Sequence, residues 1–325
     1  MRSLKRFSRK GQGPYHRPGL LVESVDGLDI KEDGIYVDVT FGGGGHSKEI
    51  LKRLGANGRL VAFDQDEDAL ANAIEDERFQ LINENFRFLK RFLKFYGILK
   101  VDGILADFGV SSHQFDTAER GFSTRFEAKL DMRMNQQMKK SAFELVNTYS
   151  LDNLTGVFRE YGELRSARGI ANAIVVARQV GQLSTTADLK RAITKFLQKG
   201  KENRLLAQVY QAIRIEVNEE MAVLKEFLSQ VPEVLRIGGR LSVISYHSLE
   251  DRLVKRFIRD GKFKGQAEKD FYGNIDVPLK KVTSLIVPST EEVAKNNRAR
   301  SAKLRIAERI LGLMSLNHQK TERQC

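Results

Sequence analysis

The chain of 325 residues is poor in several residue types, and each shortage removes a class of protein. Its only cysteine is the last residue, Cys325, which excludes disulfide frameworks and fits a reducing compartment such as the cytoplasm. The five histidines are too scattered to predict a metal site. No apolar run reaches the roughly 18 residues of a membrane span, and the basic amino terminus lacks the apolar core of a secretory signal. The sequence therefore predicts a cytoplasmic protein with neither a metal nor a membrane partner.

Basic residues are abundant and concentrate at the two ends of the chain. The net charge is +12. Residues 1–20 hold six Lys/Arg and no Asp/Glu, and residues 251–325 hold 17 Lys/Arg against nine Asp/Glu, so the body between them is nearly neutral. This distribution favours a polyanionic partner such as nucleic acid, although a solvated basic surface that only aids solubility has the same composition.

Short apolar runs alternate with helical patterns over the first third of the chain. Strands are predicted at 34–39, 59–63, 79–82 and 101–106, and helices at 45–54, 68–74 and 86–96. Because strands that alternate with helices pair in parallel, the pattern predicts a doubly wound, Rossmann-like α/β sheet.

The next predicted strand, 240–244, follows after a gap too long for one crossover helix. Helical spacing fills the gap, with Ser141 and Ser150 as candidate helix caps. We therefore predict an all-helical insertion at 141–211 within a Rossmann-like domain formed by 1–140 and 212–325. A single long helix at 204–228 leads back to the sheet, and 117–135 is predicted to be an ordered loop.

The stretch VDVTFGGGGHSK, residues 37–48, joins the first predicted strand to the first helix, where such sheets bind their ligand. Glycine there lets a ligand approach the backbone amides. A phosphate-binding P-loop would have lysine where His46 stands, and a dinucleotide loop would have a third glycine where serine stands. S-adenosylmethionine fits better. Asp38, four residues before Gly42, is placed to accept its ammonium, and Asp64 its ribose hydroxyls, with a helix N-cap as the structural alternative for Asp64.

Polar residues also follow the fourth and fifth predicted strands. Asp107 ends the fourth strand, and Tyr246 and His247 end the fifth, at the edge where parallel strands face a ligand. Tyr246 and His247 suit base stacking or hydrogen bonding, or simple packing. Ser248 is predicted to cap the next helix, with Asp251 completing the capping arrangement.

Together these segments resemble one family, the bacterial small-subunit ribosomal RNA cytosine-N4 methyltransferases known as MraW or RsmH. The resemblance spans nearly the whole chain in family order, with small departures at Gly19 and Asn297. The matching stretches are Tyr15-His16 with Pro18, VDVTFGGGGHS at 37–47, FDQD at 63–66, DFGVSS at 107–112, ERGFS at 119–123, LDMRM at 130–134, QAIRIEVN at 211–218, GGRLSVISYHSLEDR at 238–252 and NRARSAKLRIAER at 297–309.

The resemblance implies an enzyme that methylates the exocyclic N4 amine of a cytidine in 16S rRNA, with the folded small ribosomal subunit as substrate. The Asp/Asn-Pro-Pro-aromatic motif of many amino-methyltransferases is replaced by Asp107-Phe108-Gly109-Val110. Asp107 is therefore the first catalytic candidate, and His247 and Tyr246 come second. The resemblance implies cofactor contacts at Gly44, Gly45, His46, Asp64, Phe86, Asp107 and Gln114.

The basic ends are predicted to hold the RNA backbone through Arg298, Arg300, Arg305, Arg2, Lys5 and Arg6. The helical insertion adds either RNA-binding surface or the face of a homodimer, and the sequence does not choose between them. The sequence leaves two alternative functions open. One is an NAD-dependent dehydrogenase, and the other is a non-catalytic ribosome-assembly protein that retains the methyltransferase fold.

Overall fold

A single sheet forms the centre of the protein, in a computed structural model that describes residues 18–265 and 275–311. In these ranges its strand order is β3-β2-β1-β4-β5-β7-β6. The first five strands in this order run parallel, whereas β7 is antiparallel to both β5 and β6. The strands are β1 Ile35–Asp38, β2 Arg59–Phe63, β3 Phe79–Ile82, β4 Val101–Asp107, β5 Leu235–Ser245, β6 Leu279–Lys281 and β7 Lys303–Arg309.

Helices alternate with the strands at first and then follow one another in a long helical run. The α-helices are α1 Leu21–Asp26, α2 Gly45–Arg53, α3 Leu89–Phe95, α4 Ser112–Asp116, α5 Ala142–Thr148, α6 Leu151–Glu160, α7 Ala167–Val180, α8 Thr186–Ala192, α9 Glu202–Val217, α10 Glu220–Val234, α11 Ser248–Asp260 and α12 Thr290–Lys295. Short 3-10 turns span Glu67–Asn72, Phe86–Phe88, Ala118–Arg120, Thr194–Phe196 and Asn297–Ser301. Within the described ranges no helix is both long and apolar enough to cross a bilayer.

Apolar residues cover both faces of the sheet, which confirms the predicted doubly wound α/β fold. On one face, α1 and α2 bury Val25 and Ile50 against Leu105 of β4. On the other face, α3, α10 and α11 bury a larger cluster around the sheet, with Phe227 as one of its largest members. The parallel strands are therefore buried from both sides, and their carboxyl ends open at one edge.

The helical run from α5 to α9 has a hydrophobic core of its own. This core contains the fully buried Phe158 and residues of the predicted loop 117–135, and it ends at Val217. The packed unit therefore extends beyond the predicted limits 141–211 on both sides. Ser141 and Ser150 cap α5 and α6 as predicted.

The predicted single helix at 204–228 is wrong, because the chain breaks between α9 and α10. The buried Asn218 accepts a hydrogen bond from the Met134 amide (2.7 Å) and donates one to the Met132 carbonyl (2.8 Å). Glu219 then takes a left-handed φ of 53°. The break thus ties the 117–135 loop to the end of α9.

Other predicted elements differ in extent. The predicted helix at 68–74 is the 3-10 turn Glu67–Asn72, and β5 begins at Leu235 rather than at 240. The strands β6 and β7 were not predicted. In β7 inward-facing Leu304 and Ile306 alternate with charged residues, which is the period-2 pattern of a strand.

Candidate active site

The glycine stretch turns sharply between β1 and α2. Gly42 and Gly44 have φ values of 51° and 74°, a region that side chains rarely adopt. A Cβ on Gly44 would lie 2.9 Å from the Phe41 ring, and one on Gly45 would lie 2.4 Å from Pro18. A Cβ on Gly42 would meet Ser111 only at 3.8 Å, an ordinary van der Waals contact, so the backbone there is not crowded. The loop therefore gives a ligand access to bare backbone.

Asp38 supports this loop from below. Its carboxylate accepts hydrogen bonds from the Thr40 amide (3.1 Å) and the Ser47 hydroxyl (2.7 Å), and none of the residue is exposed. Burial raises the pKa of Asp38 to about 6. These hydrogen bonds favour a role for Asp38 in holding the glycine loop in place. Its direct contact with the ammonium group of the cofactor stays a prediction.

Asp64 follows β2 and contacts the same loop. One carboxylate oxygen accepts the Gly42 amide (2.7 Å) and the other accepts the Asp66 amide (2.9 Å). Each oxygen keeps a free lone pair for a second donor, as a pair of ribose hydroxyls requires. Burial raises the pKa of Asp64 to about 6. Asp66, not Asp64, caps the following 3-10 turn, so the helix-cap alternative for Asp64 is wrong.

Phe86 follows β3, the strand beside β2, and so lies at the same edge of the sheet as Asp64. Its ring packs against the rings of Phe108 and Phe227, with centroids 5.8 and 5.4 Å away. The residue is only partly buried, so an aromatic face remains at the edge of the sheet. Such a face suits the flat base of a nucleoside.

Asp107 closes β4 in the middle of this edge. Its amide donates to the Thr40 hydroxyl (2.7 Å), and the Tyr246 hydroxyl hydrogen-bonds to its carboxylate. Oδ1 is buried and has no hydrogen-bond partner in the described part of the chain. Burial raises the pKa of Asp107 to about 8, and the charges of Asp38 and Glu250 add to the effect. An unpaired acceptor with this affinity for protons is suited to take one from a substrate.

His46 lies in the first turn of α2, beside Asp107. Its Nδ1 lies 3.8 Å from Asp107 Oδ2, and only 4% of the side chain is exposed. Burial lowers the pKa of His46 to about 4, so the imidazole is neutral at pH 7. Its Nε2 is a second buried atom without a hydrogen-bond partner among the described residues.

Tyr246 and His247 follow β5, as predicted, and Glu250 fixes both. One Glu250 oxygen accepts the Tyr246 amide (2.9 Å) and the His247 amide (3.3 Å). The helix cap of α11 is His247, whose Nδ1 accepts the Glu250 amide, so the prediction that Ser248 caps this helix with Asp251 is wrong. Ser248 instead donates to Glu163 of the helical run (2.7 Å). The cap moves back one residue because a reciprocal capping box forms between His247 and Glu250.

A cluster that the sequence did not reveal lies behind this turn. Potential ligand atoms of Glu220, His247 and Glu250 fall within 4.8 Å of one another. Arg214 contacts both oxygens of Glu220 at 2.7 and 2.9 Å, so the cluster is satisfied largely as a buried ion-pair network. The His247-to-Glu250 spacing of a capping box was the one available signal for it.

Gln114 was predicted to contact the cofactor, but both ends of its side-chain amide already form hydrogen bonds within the protein. Oε1 accepts the Ser111 amide (3.0 Å) and Nε2 donates to Asp66 (2.6 Å). Asp66 is in turn paired with the buried Arg120 at 2.9 Å. Gln114 therefore braces the wall of the site, and its contact with the cofactor stays a prediction.

Comparison with known proteins identifies the family. The sequence pattern of the MraW methylase family matches residues 14–310. The chain belongs to this family. It is 67% identical to ribosomal RNA small subunit methyltransferase H of Christiangramia forsetii, over 91% of this chain and 98% of that protein. The proteins of the same name from Flavobacterium johnsoniae and Parabacteroides distasonis are 66% and 55% identical, again over 91% of this chain and 98% of theirs.

MraW methylases use S-adenosylmethionine, and the residues present fit it. The uncrowded, side-chain-free backbone at Gly42, the two acceptors of Asp64 and the aromatic face of Phe86 match a loop contact, a ribose and an adenine. The buried, unpaired Oδ1 of Asp107 and Nε2 of His46 mark the centre of the site. Membership of the MraW family thus confirms the predicted cofactor.

The arginines predicted to bind RNA have different environments in this MraW methylase. Arg298 pairs with Asp116, and Arg300 is exposed in the same 3-10 turn. This turn packs beside the site, since a Cβ on Gly19 would lie 3.0 Å from Ala299 and 3.4 Å from the Tyr246 hydroxyl. Arg2, Lys5 and Arg6 lie outside the described residues.

Arg305 differs from these, because it belongs to β7. Its guanidinium contacts Asp251 at 2.7 Å, and only 14% of the side chain is exposed. The geometry thus favours a structural ion pair over the predicted phosphate contact, and we leave Arg305 out of the proposed RNA surface.

Proposed function

We propose that the protein transfers a methyl group from S-adenosylmethionine to the exocyclic N4 amine of one cytidine in 16S rRNA. The observation that carries this proposal is Asp107, a buried carboxyl with one unpaired oxygen at the centre of the ligand edge. It combines with a bare glycine loop and with relatives that are named for small-subunit ribosomal RNA.

The chemistry requires positioning and a proton acceptor. The cytosine amine is a weak nucleophile because its lone pair is delocalised into the ring. S-adenosylmethionine supplies a strongly electrophilic methyl group, so holding the amine in line contributes most, up to roughly 7–11 kcal/mol. Asp107 Oδ1 accepts a hydrogen bond from the amine, localises its lone pair and takes its proton, which adds roughly 10²–10⁴-fold in rate.

The surroundings of Asp107 control when it can act. With a pKa of about 8, its carboxyl is mostly protonated at pH 7 in the unliganded protein. A positive charge held beside it favours the carboxylate and lowers this pKa, so the acceptor forms when the site is filled. His46 is neutral at that pH and does not compete as a cation. Tyr246 holds the carboxylate through its hydroxyl.

The target base has to leave its neighbours to reach this edge. Arg300, with Arg298 beside it, borders the site next to Tyr246 and is placed to hold the RNA backbone. We infer that the assembled small subunit, rather than free RNA, is the substrate. The predicted homodimer stays a prediction, with the exposed Val176 and Val180 of α7 as its candidate contact.

The decisive experiment is methyl transfer to small subunits isolated from cells that lack the protein. We expect one cytidine to gain a methyl group on N4, as mapped by mass spectrometry of nuclease fragments, and Asp107→Asn to abolish most of the transfer. Binding of the subunits without any transfer would support a non-catalytic assembly factor instead. Thermal stabilisation by NADH but not by S-adenosylhomocysteine would support the dehydrogenase.

A further inference from the structure

A groove runs along α11 on the side that faces α10 and the end of α6. It encloses about 540 Å³ and begins at Leu249, three residues after Tyr246 of the active site. We call it the basic groove; its lining residues are Glu160, Tyr161, Met221, Lys225, Leu249, Arg252, Leu253, Lys255, Arg256, Arg259 and Phe263. From Leu249 to Arg259 it extends for about 15 Å along the helix axis, at about 1.5 Å per residue.

The charge of the basic groove is strongly one-sided. Five of its lining residues are cationic and only Glu160 is acidic. Among the acidic residues of α11, Asp251 pairs with Arg305 on the β7 side and Glu250 is buried in the active-site turn, so only Asp260, which pairs with Arg259, offsets a cation of the groove. A concave surface lined by one sign of charge concentrates counter-ions of the other sign.

Neighbouring groups hold the arginines of the groove in place, whereas two lysines are available. Arg252 pairs with Glu163 (2.6 Å), and Arg256 donates to the Phe263 carbonyl (3.1 Å). Lys225 and Lys255 are exposed, and their ammonium groups have no hydrogen-bond or salt-bridge partner within 18–265 and 275–311. Two free ammonium groups in a cationic groove suit phosphates as ligands.

The floor of the groove is apolar and partly aromatic. Tyr161 and Phe263 line it, and the Phe263 ring stacks on Phe257 with centroids 5.0 Å apart and planes at 17°. Cations along a helix above aromatic faces are the combination that single-stranded nucleic acid uses, with phosphates on the cations and bases on the rings. An acidic protein would use the cations but would leave the aromatic floor without a specific partner.

We propose that the basic groove binds the rRNA strand that flanks the methylated cytidine. The proposal rests on the proposed function, because α11 starts at the Tyr246–His247 turn. A strand with one base in the site therefore continues directly into the groove. The groove acts as an anchor for the substrate, away from the reacting atoms, and it is separate from the predicted contacts of Arg298 and Arg300.

The test compares the double variant Lys225→Gln/Lys255→Gln with the parent protein on unmethylated small subunits. Both lysines are exposed, so the fold and the affinity for S-adenosylhomocysteine stay unchanged. We expect KM for the subunit to rise on the order of tenfold with kcat retained. The slope of log affinity against log salt becomes shallower by about 1.4, or about 0.7 for each lost phosphate contact.

The matched control is Lys31→Gln/Lys52→Gln, which removes two exposed lysines at the opposite edge of the sheet, before β1 and at the end of α2. Equal salt slopes and equal KM values for the double variant, the control and the parent would overturn the proposal. A parent protein that transfers no methyl group to cytidine N4 would instead overturn the proposed function.

A crosslink identifies the class of partner directly. Cys325 is the only cysteine, so Lys255→Cys in a Cys325→Ser background can carry a photoreactive group at one position. Crosslinking to 16S rRNA near the methylated cytidine supports the proposal. Crosslinking only to a ribosomal protein, or to a second copy of this chain, overturns it.

Discussion

Replacing Asp107 by asparagine tests the central acid through stability as well as activity. The pKa of its carboxyl rises from an ordinary 3.8 to about 8 in the folded chain. This difference of about 4 units corresponds to on the order of 5 kcal/mol between the two protonation states. Between the two pKa values the native state keeps a proton that the unfolded chain has lost. The free energy of unfolding therefore falls as pH rises, by up to about 1.4 kcal/mol per pH unit.

The amide that replaces the carboxyl cannot ionise, so Asp107→Asn removes this decline. Parent and variant should be about equally stable near pH 4. At pH 8 the unliganded variant should be more stable by about 2–4 kcal/mol, allowing for solvent screening of the fifth of the side chain that is exposed. Urea titrations at pH 4, 6 and 8 measure the difference. Asp38 and Asp64 also have raised pKa values, but they are present in both proteins, so the comparison isolates Asp107.

The same substitution should change the pH dependence of methyl transfer. In the parent, kcat/KM for S-adenosylmethionine should rise about tenfold per pH unit up to about pH 8, as the free carboxyl ionises. At pH 8 kcat/KM of Asp107→Asn should be lower by roughly 10²–10⁴-fold, and it should no longer rise above about pH 7, beyond the pKa values of about 6 of Asp38 and Asp64. Parallel stability curves together with retained turnover would refute both the raised pKa and the role of Asp107 as proton acceptor.

Three other substitutions probe the walls of the site and one predicted RNA contact. Asp64→Ala should weaken cofactor binding by about 2–3 kcal/mol in calorimetry, because the ribose and the glycine loop both lose their acceptor, and Asp64→Asn should recover part of the loss. Gly44→Ala should lower the free energy of unfolding by about 1–3 kcal/mol in urea, because its φ of 74° is strained and its Cβ meets the Phe41 ring. Arg305→Gln should cost about 1–3 kcal/mol of stability by leaving Asp251 poorly paired, with an unchanged salt dependence of subunit binding; a shallower slope would return Arg305 to the RNA surface.

The edge of the sheet that forms the site could be predicted because it depends on local patterns. Alternating strands and helices determine a parallel sheet, and the carboxyl ends of its strands meet at one edge. Asp64, Asp107 and Tyr246 each follow a recognisable strand, so their proximity follows from the topology alone. The glycine loop was equally visible, since its four glycines are consecutive and directly follow a predicted strand.

The ion pairs that hold the site residues in place could not be predicted, because the two partners of each pair are distant in sequence. Arg120 reaches Asp66 across 54 residues, and Arg214 lies close to Glu250 only after α9 and α10 have folded back onto the sheet. The hydrophobic periodicity of the sequence does not indicate such pairs. Cap preference also misled at α11, since serine is the commoner cap, whereas here the residue before it forms the reciprocal pair with Glu250.

The charges gathered at this edge also explain which class of cofactor it accepts. The charge of Asp38 raises the pKa of both Asp64 and Asp107, and the neighbouring His46 is neutral, so the centre of the site contains no compensating cation among the described residues. A ligand that adds positive charge there relieves the repulsion among the carboxyls, whereas a dinucleotide would place its anionic pyrophosphate against them. A third glycine in the loop, as dinucleotide-binding proteins have, would not change this balance of charge. The acids at the strand ends therefore exclude the dehydrogenase more firmly than the loop sequence does, and they do so by the same electrostatics that makes Asp107 available as a proton acceptor.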